Sequence, residues 1–228
     1  MGKQIIVIPA YNEEATVAQV VREAVRVADA VVVVDDGSRD RTSALAGEAG
    51  AIVVRHAVNR GLGGALGTGI AAAVKLGADA VVTMDADGQH RAADAARVFQ
   101  RIGQGDVDFV IGSRMIPGEG ERAGKMPIHR VLFNAVGNAL TYLLFGVWVT
   151  DSQSGLRGLS RRAAETVDLR TNGMEVSSEF IKEVREKHWK LAEISIPAIY
   201  TEYSLSKGQS FLVGIKTAAK LILRRFIG

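Results

Sequence analysis

Two aspartates one residue apart follow an apolar run near the middle of the chain. Residues 81–84 are apolar or β-branched and lead into Asp85, Asp87 and Gln89, which predicts a buried strand that ends in a polar loop. Side chains alternate along an extended segment, so we expect the two carboxylates on the same side. Neighbouring carboxylates repel each other unless a cation lies between them, and oxygen ligands suit Mg²⁺ or Mn²⁺. The spacing therefore predicts a divalent metal site at Asp85 and Asp87, with Gln89 as a third oxygen ligand; the alternative is a solvated turn.

Polar residues also follow the other apolar runs of the first half. Tyr11 and Glu13 follow the first run, Asp35 and Asp36 follow the second, and Arg114 follows the last. In open parallel sheets, ligands bind outside the carboxyl ends of the strands. We therefore expect these side chains to meet the aspartate pair at one edge of a sheet.

The elements that must position these residues alternate between strand and helix. Glu13 and Glu14 are expected in the first turn of the first helix, where carboxylates complement the positive helix end. Five strands that alternate with helices predict right-handed crossovers and a mostly parallel α/β sheet flanked by helices. A closed (β/α)₈ barrel would also collect ligands at its strand ends, but the five strand–helix units predicted here are fewer than the eight that such a barrel needs. The predicted strands are residues 5–8, 31–34, 51–54, 80–84 and 109–111, and the predicted helices are about 17–25, 42–49, 61–76 and 92–102.

The second half of the chain has a different pattern, dominated by amphipathic helices. Residues 126–149 are very apolar, yet Arg130, Asn134, Asn138 and Thr141 recur at helical spacing. A helix with one thin polar stripe is either buried or lies in a membrane interface. Further elements are expected as a polar loop from residue 151 into a short strand, a helix at 176–187, a strand at 191–199 and a basic amphipathic helix at 211–227. With no internal repeat and no convincing boundary, we expect residues 1–228 to form a single domain.

Composition excludes several classes of function. The chain of 228 residues has no cysteine, so disulfides, thiolate metal sites and cysteine nucleophiles are absent. The N-terminus lacks a secretory pattern, and no apolar run reaches the ~18 residues of a membrane span. The net charge of +3 does not by itself imply nucleic acid. No acidic residue follows Glu202, so the last helix is either an ordinary packed helix or a basic surface that binds anionic lipid.

Six motifs in a fixed order carry a resemblance to a known family. The chain resembles the family 2 glycosyltransferases of the GT-A fold, a Rossmann-like fold, over essentially its whole length. Within that family it is most similar to the dolichyl- or polyprenyl-phosphate mannose or glucose synthases. The motifs are IPAYNEE at residues 8–14, VDDGS at 34–38, NRGLG at 59–63, DADGQ at 85–89, GSR at 112–114 and TDSQSGLR at 150–157.

The resemblance implies a nucleotide-sugar site in residues 1–114. Asp36 is expected to contact the nucleoside, with Pro9, Tyr11 and Glu13 lining the same pocket. Arg60 is a candidate phosphate or nucleoside contact. The donor implied is a GDP- or UDP-hexose, held together with Mg²⁺ or Mn²⁺. Judged from the residues alone, Asp36 also fits a turn before a helix.

The resemblance assigns the acceptor and the membrane surface to residues 115–228. Arg114, with its planar guanidinium, is expected to bind phosphate, although a surface ion pair is the commoner fate of an arginine. Arg130 is expected to hold an acceptor phosphate, and Lys207 lies in a segment expected to close on the diphosphate. Asp151 is a candidate base; because a lipid phosphate is already anionic, it orients the site in the alternative interpretation.

These expectations combine into one function. The chain is expected to move mannose or glucose, with inversion, from the nucleotide-sugar to a polyprenyl or dolichyl phosphate. Asp87, Arg114 and Asp151 are the expected catalytic residues. The expected location is the cytoplasmic face of a membrane, reached by surface attachment or through a membrane-protein partner. Two alternatives remain: transfer to a sugar or other hydroxyl, and a non-catalytic membrane-associated binder of nucleotide-sugars.

Overall fold

Seven strands form one mixed sheet in the computed structural model, which describes residues 2–117 and 128–199. The side chains of residues 128–130 and 133 are outside the described part. The strands are β1 Gln4–Ala10, β2 Ala30–Asp35, β3 Ile52–Arg55, β4 Ala80–Thr83, β5 Phe109–Ser113, β6 Arg157–Ser160 and β7 Leu191–Ser195. The helices are α1 Val17–Ala24, α2 Thr42–Glu48, α3 Gly61–Lys75, α4 Ala92–Gly103, α5 Ile128–Phe145, α6 Arg161–Thr166 and α7 Val176–Glu186.

The strand order in the sheet is β3-β2-β1-β4-β6-β5-β7. Neighbouring strands are parallel except at β6, which is antiparallel to both β4 and β5. The predicted mostly parallel α/β sheet is thus confirmed, but the sequence did not predict an antiparallel strand in its interior. Because β6 runs backwards, its first residue, Arg157, pairs with Thr83 of β4 and Ile111 of β5. The loop before β6 therefore reaches the edge where β4 and β5 end.

Helices cover both faces of the sheet. Apolar residues of α1, α2 and α4 pack on one face, and those of α3, α6 and α7 pack on the other. The central strands are buried on both sides, which is why β1 and β2 read as continuous apolar runs rather than alternating ones. This double layer holds the strand ends rigidly.

Several element boundaries differ from the prediction. Glu13 and Glu14 lie in a turn before α1, since the Glu13 carbonyl accepts the N–H groups of Thr16 and Val17 and the helix begins only at Val17. The expected placement of these two acids in the first helical turn was therefore wrong. β7 ends at Ser195, four residues earlier than expected, and the short helix α6 was not predicted.

Helix α5 buries three residues of its predicted polar stripe, Asn134, Asn138 and Thr141. Asn134 and Asn138 are each 6% exposed and Thr141 is fully buried, whereas Leu132 and Leu143 are 61% and 79% exposed. The predicted helix is confirmed, and these three polar residues form hydrogen bonds with the rest of the protein. Among the described residues, no helix combines the length and the apolar character needed to cross a membrane. The predicted basic helix at 211–227 lies outside the described residues.

Candidate functional site at the carboxyl edge of the sheet

The aspartate pair lies in the loop after β4. The strand ends at Thr83, so strand alternation does not extend to Asp85 and Asp87 and is not what brings them together. The side chain of Asp85 is 42% exposed, and its Oδ2 lies 3.1 Å from Nε2 of the buried His90. Asp87 accepts hydrogen bonds from the main-chain N–H and the side-chain amide of Gln89, at 3.0 and 2.6 Å.

The two carboxylates repel each other. Burial raises the pKa of Asp87, and the negative charge of Asp85 raises it further. Burial also raises the pKa of Asp85, but the hydrogen bond and charge of His90, with the charges of Arg157 and Arg114, bring the pKa below its ordinary value. A cation between the two aspartates would relieve this repulsion, and oxygen donors are what Mg²⁺ and Mn²⁺ prefer.

The protein supplies few ligands besides this pair. Within residues 2–117 and 128–199, no three His, Cys, Asp or Glu side chains gather in a way that could hold a metal ion. Gln89 donates its amide N–H to Asp87, so its oxygen becomes a ligand only if the amide rotates. A pair of carboxylates fits Mg²⁺, which usually takes one or two carboxylates and completes its shell with water and phosphate oxygens.

Arg114 and Asp151 form a buried two-point ion pair beside this loop. The Arg114 Nε and Nη2 donate to the two oxygens of Asp151 at 2.7 and 2.9 Å, and the Arg114 main-chain N–H donates to Oδ2 at 3.1 Å. The Asp151 side chain is fully buried, and that of Arg114 is 20% exposed. Both carboxylate oxygens of Asp151 are occupied by Arg114, so the geometry favours the orienting role of Asp151 over that of a base.

Helix α5 clamps the segment that carries Asp151. The Asn138 Nδ2 donates to the carbonyl of Thr150 at 2.6 Å, and Asn138 Oδ1 accepts the N–H of Ser152 at 2.9 Å. Asn134 Nδ2 adds a longer hydrogen bond, 3.3 Å, to the same carbonyl. The two asparagines that sequence reasoning assigned to a thin polar stripe therefore fix the backbone on both sides of Asp151.

This clamp gives a prediction for Asn138→Ala. The substitution leaves the buried N–H of Ser152 without its acceptor, which should cost about 1–3 kcal/mol of unfolding free energy. Chemical denaturation measures this loss. The control is Gln104→Ala, which removes an exposed amide at the end of α4 and should change the unfolding free energy by no more than ~0.5 kcal/mol from the wild type. Equal stability of the two variants would show that Asn138 does not hold the loop.

Arg157 provides a buried positive charge that interacts with both Asp85 and Asp151. Its Nη2 donates to the Ser177 hydroxyl at 2.8 Å, and its guanidinium lies 5.1 Å from the centre of the Phe180 ring. Burial lowers its pKa to about 10, against the opposing charges of Asp85 and Asp151. Arg157 therefore remains charged at neutral pH. Sequence reasoning quoted this residue within a motif but gave it no role; its place at the start of β6 was the missing information.

A cavity of about 600 Å³ opens beside Tyr11 on the other side of the site. Tyr11 is the only one of the sequence-predicted nucleoside residues among the residues that line the cavity in the described part of the chain. Pro9 lies within β1, and the Glu13 carboxylate is 3.3 Å from the Thr16 hydroxyl. The other lining residues are 37–39 and 55–59.

The Asp36 carboxylate accepts hydrogen bonds from other residues of the protein. Its Oδ1 accepts from the Arg60 N–H at 2.8 Å and from His56 Nδ1 at 2.6 Å, and its Oδ2 accepts from the Gly61 N–H at 2.7 Å. A carboxylate on these N–H groups stabilises the start of α3. A nucleoside contact by Asp36 would be additional to this structural role. The Arg60 side chain is exposed at the beginning of α3.

Two glycines of the NRGLG motif make room for protein backbone. Gly61 has a φ of +81°, which side chains rarely adopt, and a Cβ there would overlap the carbonyl of Asn172. A Cβ on Gly63 would overlap the carbonyl of Thr171, and the Gly63 N–H donates to Asn172 at 3.1 Å. Within the described residues, these glycines therefore pack the start of α3 against the 171–172 loop.

Two predicted site residues cannot be placed. Lys207 and the side chain of Arg130 lie outside the described residues. The structure thus brings together Asp85, Asp87, Arg114 and Asp151 at one edge of the sheet, with Tyr11 and Asp36 further along the same edge at the ends of β1 and β2.

Known proteins resemble this chain in sequence and in fold. It is 35% identical over 238 residues to the UDP-N-acetylglucosamine–dolichyl-phosphate N-acetylglucosaminyltransferase of Methanococcus voltae, covering 96% of this chain and 94% of the relative. It is 30% identical over 225 residues to the undecaprenyl-phosphate mannosyltransferase of Micrococcus luteus, covering 92% and 89%.

A crystal structure of glucosyl-3-phosphoglycerate synthase from Mycobacterium tuberculosis, in complex with Mn²⁺, UDP-glucose and phosphoglyceric acid, shares the fold. Its TM-score is 0.72 at 20% identity, covering all of this chain and 81% of the other. This likeness shows the expected GT-A fold. The model of the family described as glycosyl transferase family 2 matches residues 5–168, and the chain therefore belongs to glycosyl transferase family 2.

Proposed function

We propose that this glycosyltransferase moves a sugar from a nucleoside diphosphate sugar to a polyprenyl or dolichyl phosphate. The observation that carries the proposal is the meeting of the repelling Asp85–Asp87 pair and the Arg114–Asp151 pair at one sheet edge. The Asp85–Asp87 pair suits a cation that binds diphosphate. The Arg114–Asp151 pair is proposed to place fixed charge beside the acceptor. The names of the relatives from M. voltae and M. luteus, which act on lipid phosphates, support this acceptor class.

The chemistry needs positioning and charge rather than a strong base. The acceptor phosphate is anionic at neutral pH, so one of its oxygens attacks the anomeric carbon while the bond to the diphosphate breaks, with inversion. Asp85 and Asp87 would hold Mg²⁺ or Mn²⁺, with Gln89 as the proposed third ligand; the ion neutralises charge on the leaving diphosphate. Arg114 is proposed to contact the acceptor phosphate while it keeps Asp151 in place, and fixed charges of this kind supply much of the rate.

The donor and its site are proposed in the same terms. The resemblance to the polyprenyl-phosphate synthases implies mannose or glucose carried on GDP or UDP, and the name of the M. voltae relative adds N-acetylglucosamine carried on UDP. We place the nucleoside in the cavity beside Tyr11, and Pro9, Glu13 and Asp36 remain further proposed contacts. Arg60 is proposed as a phosphate or nucleoside contact, and Arg130 and Lys207 keep their proposed roles with the acceptor and the diphosphate.

The outer face of α5 is proposed to meet the lipid surface from which the acceptor is taken. Leu132, Val136 and Leu143 are exposed on one side of the helix, and Trp148 follows it with 61% of its surface exposed. An apolar helix face with an aromatic residue beside it suits a membrane interface. This supports a peripheral position at a membrane surface, which we propose to be the cytoplasmic face, with a membrane-protein partner as a further proposed means of attachment.

A double variant tests this surface. Leu132→Asn with Leu143→Asn removes two exposed leucines without opening the core, so the fold should be retained. Because burying one leucine is worth about 1.5–3 kcal/mol, binding to vesicles of phosphatidylcholine and phosphatidylglycerol should fall at least ~10-fold in a sedimentation assay. The control is Leu76→Asn, directly after the end of α3 and outside the α5 face, and it should bind vesicles as the wild type does. Unchanged binding by the double variant would rule out this face.

The transfer itself is tested with labelled donors. The protein is incubated with vesicles that contain a polyprenyl phosphate, with Mn²⁺ and with a panel of labelled GDP- and UDP-sugars, and the lipid phase is extracted. We expect label in the lipid phase with one donor class, and none when the uncharged polyprenol replaces the phosphate. Label on soluble sugars instead would favour a hydroxyl acceptor, and no transfer with any donor would favour a non-catalytic binder.

A further inference from the structure

Gly155 lies directly against the side chain of Asp85. It lies in the loop before β6, and its Cα faces the end of the Asp85 side chain. A Cβ built on Gly155 would lie less than 3.0 Å from Cγ and both carboxylate oxygens of Asp85, a separation that real Cβ atoms essentially never show. The Asp85 carboxylate thus occupies the space that any other residue at position 155 would fill.

The need for glycine here comes from space and not from backbone conformation. Gly155 is not among the residues with positive φ, so the sign of φ does not require a glycine there. Gly88, in the metal loop itself, is the opposite case: its φ is +79° and nothing lies within 4 Å of a built Cβ. The three atoms nearest to a Cβ at position 155 all belong to the Asp85 carboxylate, so this carboxylate is the first group that a side chain there would disturb.

The loop that carries Gly155 cannot move away easily. The Gly155 carbonyl accepts the Thr83 hydroxyl at 2.9 Å, which ties it to the last residue of β4. The same loop contains Asp151, which is held by Arg114. Since the loop is anchored through both Gly155 and Asp151, a methyl group on residue 155 would be accommodated by rotation of the Asp85 side chain.

We propose that Gly155 is a positioning residue for the metal site, because its missing side chain lets the Asp85 carboxylate stay where it shares a cation with Asp87. The inference rests on the metal site of the proposed function and adds a residue to it. It also links the two halves of the site, since one loop then sets the position of the metal ligand Asp85 and of the acceptor-side residue Asp151.

The test is Gly155→Ala, with Gly103→Ala as the matched control, because a Cβ on Gly103 meets nothing within 4 Å. Mn²⁺ binding is measured by electron paramagnetic resonance, with and without UDP, and crystal structures of both variants show the Asp85 rotamer. Changes around a metal ligand typically cost 10- to 100-fold in metal affinity, so we expect at least ~10-fold weaker Mn²⁺ binding for Gly155→Ala and wild-type binding for Gly103→Ala. The Asp85 carboxylate should be rotated away in the Gly155→Ala crystal structure.

A double variant separates this role from a general effect on the fold. If Gly155 acts through Asp85, then Gly155→Ala should weaken Mn²⁺ binding no further in a protein that already carries Asp85→Ala. Wild-type affinity in Gly155→Ala, an unmoved Asp85, or additive losses in the double variant would each overturn the inference and leave the proposed function standing. Failure of the wild-type protein to bind Mn²⁺ under either condition would overturn both.

Discussion

Replacing Asp87 by Asn is expected to reduce sugar transfer by at least ~100-fold. A metal ion that stabilises a leaving diphosphate contributes several kcal/mol to the transition state, and every 1.36 kcal/mol is about a factor of ten in rate. The fold should persist, because the substitution removes a carboxylate whose pKa is raised by burial and by the charge of Asp85. We expect the melting temperature to change by less than ~4 °C, which corresponds to about 1 kcal/mol for a chain of this size.

A surface acid provides the comparison for Asp87→Asn. Asp106 pairs with Arg101 at an exposed position outside the site, so Asp106→Asn should transfer sugar at the wild-type rate. Added Mn²⁺ with UDP should raise the melting temperature of the wild type and of Asp106→Asn but not of Asp87→Asn. Wild-type transfer by Asp87→Asn in the presence of a chelator would contradict the proposed metal site.

Replacing Arg114 by Met is expected to destabilise the protein strongly. Asp151 is fully buried, and the substitution would leave its charge without the two guanidinium donors. Breaking a buried ion pair from one side costs about 3–5 kcal/mol, or roughly 6–20 °C in melting temperature at this chain length. Transfer should also fall, because Arg114 is proposed to contact the acceptor phosphate.

Two further variants show whether Arg114→Met loses stability through the unpaired charge of Asp151 or through lost packing. Adding Asp151→Asn to Arg114→Met removes the stranded charge, so it should recover much of the stability while transfer stays low. Arg161→Met, which breaks exposed pairs with Asp79 and Glu165, should cost less than ~1 kcal/mol. If Arg114→Met melts as Arg161→Met does, the Arg114–Asp151 pair is not a buried anchor of the site.

The parallel part of the fold follows from local sequence signals. The β-branched runs of β1, β2 and β4 are buried on both faces, so they are recognisable as continuous apolar segments between helical ones. The antiparallel insertion of β6 had no such signal. Four residues, Arg157–Ser160, form this strand, and its position depends on pairing with β4 and β5 rather than on its own composition.

The site was predictable where chemistry is encoded by residue type. The spacing of Asp85 and Asp87 predicted two carboxylates that repel each other, and the charge of Asp85 does raise the pKa of Asp87, although both residues lie in the loop beyond the end of β4. The inward direction of Asn138 was not predictable, since a thin polar stripe fits a clamp on a loop as well as a membrane interface. The partners of Asp36 and the contact of Gly155 with Asp85 arise between segments far apart in sequence, so only the folded structure reveals them.

The most direct test of the account is the location of a bound ion. Crystals grown with Mn²⁺ and UDP would show manganese by its anomalous scattering. The account predicts one strong peak at the carboxyl end of β4, within about 2.1 Å of a carboxylate oxygen of Asp87 and shared with Asp85, the remaining ligands being Gln89, diphosphate and water. A nucleotide bound beside Tyr11 with the manganese elsewhere, or with no manganese at all, would contradict it.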